Sequence, residues 1–154
     1  MPLSDPGEAN NTSLYQDWQE QILAGNEHFE NEDLVVAISC YRSAIAIAED
    51  LIKEHENFRI AIVSLIVSFH NLSDVYLMMT EKSKAERELK AAHDRLIGLQ
   101  SEYPEDFEKQ EALMWGLRRT YTALLLHLKK YSENKIVAVP QMPVIGMSQS
   151  NLMN

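Results

Sequence analysis

Apolar residues recur along most of this chain at intervals of three and four, the period of an α-helix rather than a strand. Leu14, Trp18, Ile22 and Gly25 form a first stripe, with Ser13 and Gln16 ahead of it in capping-box spacing. The polar turn Asn31-Glu32-Asp33 ends it. A second stripe carries Leu34, Ala37, Ile38, Tyr41, Ile45, Ala48 and Ile52, and residues 54–57 are a polar break. The third segment, from about residue 58 to 79, is apolar around most of its circumference, which predicts a central helix contacted on several sides. Its many β-branched residues make a strand the rival reading, and its length favours helix. After Thr80-Glu81-Lys82, Ser83 and Glu86 repeat the capping-box spacing, and Ala85, Leu89, Ala92, Leu96 and Leu99 make a fourth stripe. Pro104 suits the first turn of a fifth helix, which carries Phe107, Met114, Leu117, Tyr121, Leu124, Leu125 and Leu128. Residues 1–12 read as a flexible lead, 13–133 as one helical domain and 134–154 as a tail. The tail is apolar and uncharged beyond Lys135, and Pro140 and Pro143 exclude a helix there.

One pattern occurs twice within these stripes. Ala24, Gly25, His28, Ala37, Tyr41 and Ala44 are matched by Leu72, Ser73, Tyr76, Ala85, Leu89 and Ala92 at equal internal spacings. A recurring set of small and large residues at helical spacing implies stacked helix pairs, each burying the face of the last.

Residues 18–104 resemble the tetratricopeptide repeat, a helix–turn–helix unit of about 34 residues. The pairs Ala24-Gly25 and Leu72-Ser73 match its Leu–small position, and His28 and Tyr76 its aromatic position. Ala37 and Ala85 match the start of its second helix, Ala44 and Ala92 the closing Ala, and Pro104 its terminal proline, several residues late. Gln21 and Phe69 stand where the family has Trp, and the offset from Ala37 to Ala85 is about four helical turns too long. The resemblance implies an all-α fold, a right-handed stack of antiparallel helix pairs with two such units and a C-terminal capping helix. It also implies a groove lined by the first helix of each unit. By register that groove takes Gln19, Ile22, Asn26 and Phe29 from the first copy, and His70, Asn71, Asp74, Leu77 and Met78 from the second. Trp115 and Arg119 are their counterparts on the fifth helix. Asn26 and Asn71 fall on the two Asn positions of the carboxylate-binding subfamily. Ile22, Ala112 and Gly116 occupy the places of its basic residues, which argues against that mode.

Composition narrows the function further. The chain has 154 residues, 45% of them apolar, enough for one domain with a real core. A net charge of −9 lacks the surplus Lys and Arg that non-specific binding to nucleic acid or anionic membrane needs, and it suits a basic partner. One cysteine, Cys40, allows no internal disulfide and fits the cytoplasm. The first residues lack a signal peptide's basic and apolar regions, and no long uninterrupted apolar run predicts a membrane span. No glycine-rich phosphate loop or nucleophile motif is present, and His70 with Asp74 is a two-ligand pair, too few for zinc. No catalytic residue, metal or cofactor is expected. Trp18 and Trp115 read as core, whereas Phe29 reads equally as buried or exposed.

The expectation is a non-catalytic interaction module holding a peptide or helix of a protein partner in its groove. Two alternatives stay open. One is a structural homo-oligomer built through a helix face and the tail, the other a small-ligand binder or enzyme with a site between helices.

Overall fold

The computed structural model of the protein describes residues 6–131 and 140–141, with side chains from residue 13 onward. Five helices follow one another: α1 (Pro6–Glu30), α2 (Leu34–Glu54), α3 (Phe58–Met78), α4 (Lys82–Glu102) and α5 (Phe107–Tyr131). The architecture is an all-α helical stack. Each helix packs on the next, and α3 also touches α1 and α5. Thus α1, α3 and α5 form one layer, with α2 and α4 behind it.

The apolar circumference of α3 has the consequence the pattern predicts, since every other helix packs against it. Ala61, Ile62, Leu65, Leu72 and Val75 are fully buried. By length and composition α3 reaches the hydropathy of a bilayer span, a property the residue pattern did not suggest, and 56% of that stretch is buried inside this fold.

The sequence repeat reappears in the backbone. Asp33 N donates to His28 O at 2.8 Å, and Glu32 N to Phe29 O at 3.1 Å. The α3–α4 turn repeats both bonds, from Glu81 N to Tyr76 O at 2.8 Å and from Thr80 N to Leu77 O at 3.0 Å. This is the Schellman arrangement, in which the chain leaves the helix through a left-handed residue. Glu32 and Thr80 hold that position, each with φ 60°.

The small residues of the repeat mark close helix contacts. A Cβ on Gly25 would stand 2.5 Å from the Tyr41 ring, so α2 approaches α1 only because that atom is missing. Ser73 Oγ donates to Ala85 O at 3.0 Å, the equivalent contact between α3 and α4. A Cβ on Gly116 would lie 2.9 Å from Ile62 and 3.0 Å from Leu96, which seats α5 on both α3 and α4.

Helix starts differ from the capping-box expectation. α1 begins at Pro6, so residues 6–12 of the expected lead are helical and Ser13 lies inside the helix. α4 begins at Lys82, with Glu81 making no side-chain cap. The preceding left-handed turn fixes where α4 restarts, so Ser83 has no capping role. Pro104 sits in the turn before α5, whose first turn is held instead by Asp106 Oδ1 accepting from Lys109 N at 3.1 Å. α3 has the matching side-chain N-cap, Asn57 Oδ1 accepting from Ile60 N at 3.2 Å.

Ion pairs bridge α2 and α4. Arg42 reaches Glu88 at 2.7 Å and Arg95 reaches Glu49 at 2.9 Å. His93 Nδ1 lies 2.7 Å from Thr120 Oγ1, and His93 Nε2 donates to the backbone carbonyl of Gln141 at 2.8 Å. The chain beyond α5 thus touches its own body at α4. The remainder of the expected tail, like residues 1–5, lies outside the described residues.

Candidate functional site

The α1–α3–α5 layer carries a chain of hollows beside α3. The largest, about 960 Å³, lies between α3 and α5. Val63, Ile66 and Val67 form its floor, and Trp115, Arg118, Arg119, Thr122 and Leu126 its α5 wall. Those positions recur at three- and four-residue intervals, so each helix contributes one continuous stripe. A hollow of about 240 Å³ between α1 and α3 shares Val63 with it, lined by Tyr15, Trp18 and Ile60. Towards the end of α3, another of about 330 Å³ shares His70 and Leu126, adds Asp74, Leu77 and Tyr131, and reaches Leu89 of α4. Together they follow α3 from Asn57 to Leu77, about 30 Å of helix at 1.5 Å per residue.

The expected groove residues divide into four groups. His70, Asn71, Trp115 and Arg119 line the large hollow together, and Asp74 and Leu77 line its continuation. Asn26 and Phe29 line a small hollow of about 200 Å³ with Tyr41, Asn71 and Asp74, and Phe29 is half-buried against the core. Ile22 belongs to the core at 8% exposure, so it presents nothing to a partner. Met78 is exposed but lines none of the hollows described, and Gln19 likewise is exposed without lining one.

The two asparagines hold each other. Tyr41 Oη donates to Asn26 Oδ1 at 2.5 Å, and Asn71 Nδ2 donates to the same oxygen at 3.3 Å. Burial, and then the nearby Asp74 charge, push the Tyr41 hydroxyl up to about 12, so it remains a neutral donor. Asn26 and Asn71 therefore join α1, α2 and α3, and part of their capacity is used inside the fold.

His70 Nε2 is buried without a hydrogen-bond partner among the described residues. Burial lowers the His70 pKa and raises that of Asp74. An unmet polar atom at a hollow wall is uncommon in folded proteins and offers a bonding position to an incoming group.

Trp18 is buried and its indole donates to Ser68 Oγ at 2.8 Å, as a core residue does. Trp115, read from sequence both as core and as a groove position, is half-buried, packed against the core and lining the wall of the large hollow. Two guanidinium groups lie over its ring, Arg119 at 4.3 Å and Arg59 at 4.6 Å from the centroid. Arg59 escaped the sequence reading, although a cation in the first turn of a helix opposes the helix dipole and is itself a signal. Arg118, Leu126 and the valines were also missed. Leu126 could have been found by stepping seven residues on from Arg119 along one helix face.

A family model described as a protein of unknown function (DUF2753) matches residues 16–145, a span that takes in the rest of the stack and the contact at His93. No curated protein and no solved structure matches the chain.

Proposed function

We infer that this chain, which belongs to the DUF2753 family, is a non-catalytic interaction protein that holds a segment of a protein partner along its α1–α3–α5 face. The observation that carries this reading is the row of adjoining hollows along α3, a trough with a valine and isoleucine floor and a half-buried tryptophan in its wall. Its length, about 30 Å, suits several turns of helix or an extended segment. The sequence resemblance to tetratricopeptide repeats supports the same face, because the lining helices are the first helices of each repeated pair. The cytoplasm is the compartment that suits a chain with one half-buried free thiol. For the oligomer alternative, the exposed large apolar residues described outside the trough are Leu23 on α1, the adjacent Val35 and Val36 at the start of α2, Met78 at the end of α3 and Phe107 at the start of α5, spread over four helices.

Affinity capture with quantitative mass spectrometry tests the reading. Leu126→Glu and Val67→Glu should each deplete one set of captured proteins, while Phe107→Glu, outside the trough, should retain it. Capture of the same set at equal yield by all three variants would contradict the trough assignment.

A further inference from the structure

The arginines of this protein fall into two groups. Arg42 and Arg95 pair with Glu88 and Glu49 across α2 and α4, and Arg87 lies 3.9 Å from Glu88. Arg59, Arg118 and Arg119 surround the trough and have no carboxylate partner among the described residues. In a chain of net charge −9, surplus acid is plentiful, so three unpaired arginines on one face are a local reversal of the whole. The large hollow has no carboxylate in its lining. Arg59 also lines a neighbouring hollow with Glu56, Asp106, Glu108 and Glu111, and Asp74 lies further along α3, which centres the carboxylate-free positive stretch on Arg118 and Arg119 in the middle of the trough, with Arg59 at its border.

Resting on the interaction reading above, we propose that the partner segment is acidic and amphipathic. Its apolar stripe lies on Val63, Ile66 and Val67, and its Asp or Glu side chains reach Arg118, Arg119 and Arg59. The overall acidity of the chain suggested a basic partner, but the trough has the opposite charge. Trp115 has a specific part in this. A guanidinium stacked on an indole keeps its in-plane N–H groups free, and those groups bind carboxylates in pairs. Both stacked arginines are therefore held in position before a carboxylate arrives, which lowers the ordering cost of binding. The uncharged segment after Lys135 lacks the carboxylates for this role and touches the body at His93 instead.

Fluorescence anisotropy on the full chain tests the proposal with a labelled model helix of about five turns, Leu on one stripe and Glu on the rest. A Gln-for-Glu twin, a Lys-for-Glu twin and a single-stranded oligonucleotide are the comparisons. The acidic helix should bind about tenfold or more tighter than its Gln twin, a difference of about 1.4 kcal/mol. Arg118→Gln with Arg119→Gln should erase that margin while leaving the thermal melt unchanged. Arg119→Lys, which keeps the charge without the planar fork, should retain part of it. Equal binding of the Glu and Gln twins would overturn the acidic-segment proposal while leaving the trough as a binding face. Tighter binding of the Lys twin or of the oligonucleotide would overturn it in favour of another chemistry. Failure of every probe would also overturn it, and the capture experiment above then decides the interaction reading separately.

Discussion

Glu32 and Thr80 adopt the same left-handed backbone, φ 60° in each, in two turns whose hydrogen bonds correspond one for one. Neither is glycine, and a β-branched residue is the less suited of the two to that region. The left-handed conformation costs an L-residue roughly 1–2 kcal/mol, whereas a new glycine loses about 0.4–1 kcal/mol through the unfolded chain. Thr80→Gly should therefore stabilise the protein by up to about 1 kcal/mol, seen as a higher urea midpoint. A lower midpoint would show that the Thr80 hydroxyl, bonded to Met79 O at 2.6 Å, matters more than the strain.

Three helical glycines make a graded test of packing. Gly25→Ala would drive a methyl into the Tyr41 ring, and Gly116→Ala would meet Ile62, Leu96 and Ile66 within 3.1 Å. Each should destabilise by about 1–3 kcal/mol. Gly98 has open space, its nearest neighbour being Arg95 at 4.0 Å. Gly98→Ala should raise stability by about 0.8–1 kcal/mol through helix propensity alone. Calorimetric melts of the three variants should order as Gly98→Ala, wild type, then the other two.

Glu88 is a carboxylate at 3% exposure on α4, held by both ends of the Arg42 guanidinium, which also donates to Tyr76 Oη at 3.2 Å. Removing the cation strands the charge. Arg42→Met should cost about 2–4 kcal/mol, towards the low end because Arg87 is also near. Adding Glu88→Leu should restore much of the loss, since burying neither charge is often as stable as burying both. Denaturant curves of the single and double variants measure this, and additive losses would contradict it.

Acid should weaken the fold through His70. Burial holds its pKa below the ordinary 6.5. The unfolded chain thus binds the proton more readily, so stability is full above about 6.5 and falls as pH drops below it. His127, also lowered by burial, acts in the same direction, while Asp74, raised by burial, acts in the opposite one. Arg118, Arg119 and Lys130 line the same hollows and disfavour a further positive charge, while Glu86 offsets part of the effect of burial at His127. Between about pH 7 and about pH 5 the melting temperature should fall. His70→Gln should reduce that slope, and His70→Gln with His127→Gln should reduce it further. An unchanged slope in the double variant would refute the assignment.

The helices and their stacking were legible because period and repeat are properties of residue spacing. Leu72-Ser73 and Ala24-Gly25 marked close approaches that Gly25 and Ser73 in fact make. Helix starts were less legible: Ser13 and Ser83 have capping spacing, but α1 already runs from Pro6, and the Schellman turn at Thr80 and Glu81 sets the start of α4 at Lys82. In the trough, register placed Trp115, Arg119, His70 and Asn71 on one surface. It placed Ile22 there too, because a one-dimensional register does not show how closely α1 leans on α3. That Asn26 and Asn71 bond each other, and that Arg59 stacks on a tryptophan far along the chain, are tertiary facts with no local signature.

Site-specific photo-crosslinking in cells tests the central claim most directly. A benzophenone amino acid would replace Leu126, 62% exposed in the trough, and in parallel Phe107, 80% exposed outside it. The trough reading predicts a discrete protein adduct from position 126 that is absent from position 107. Adducts from position 107 alone, or the same adducts in equal yield from both, would contradict it.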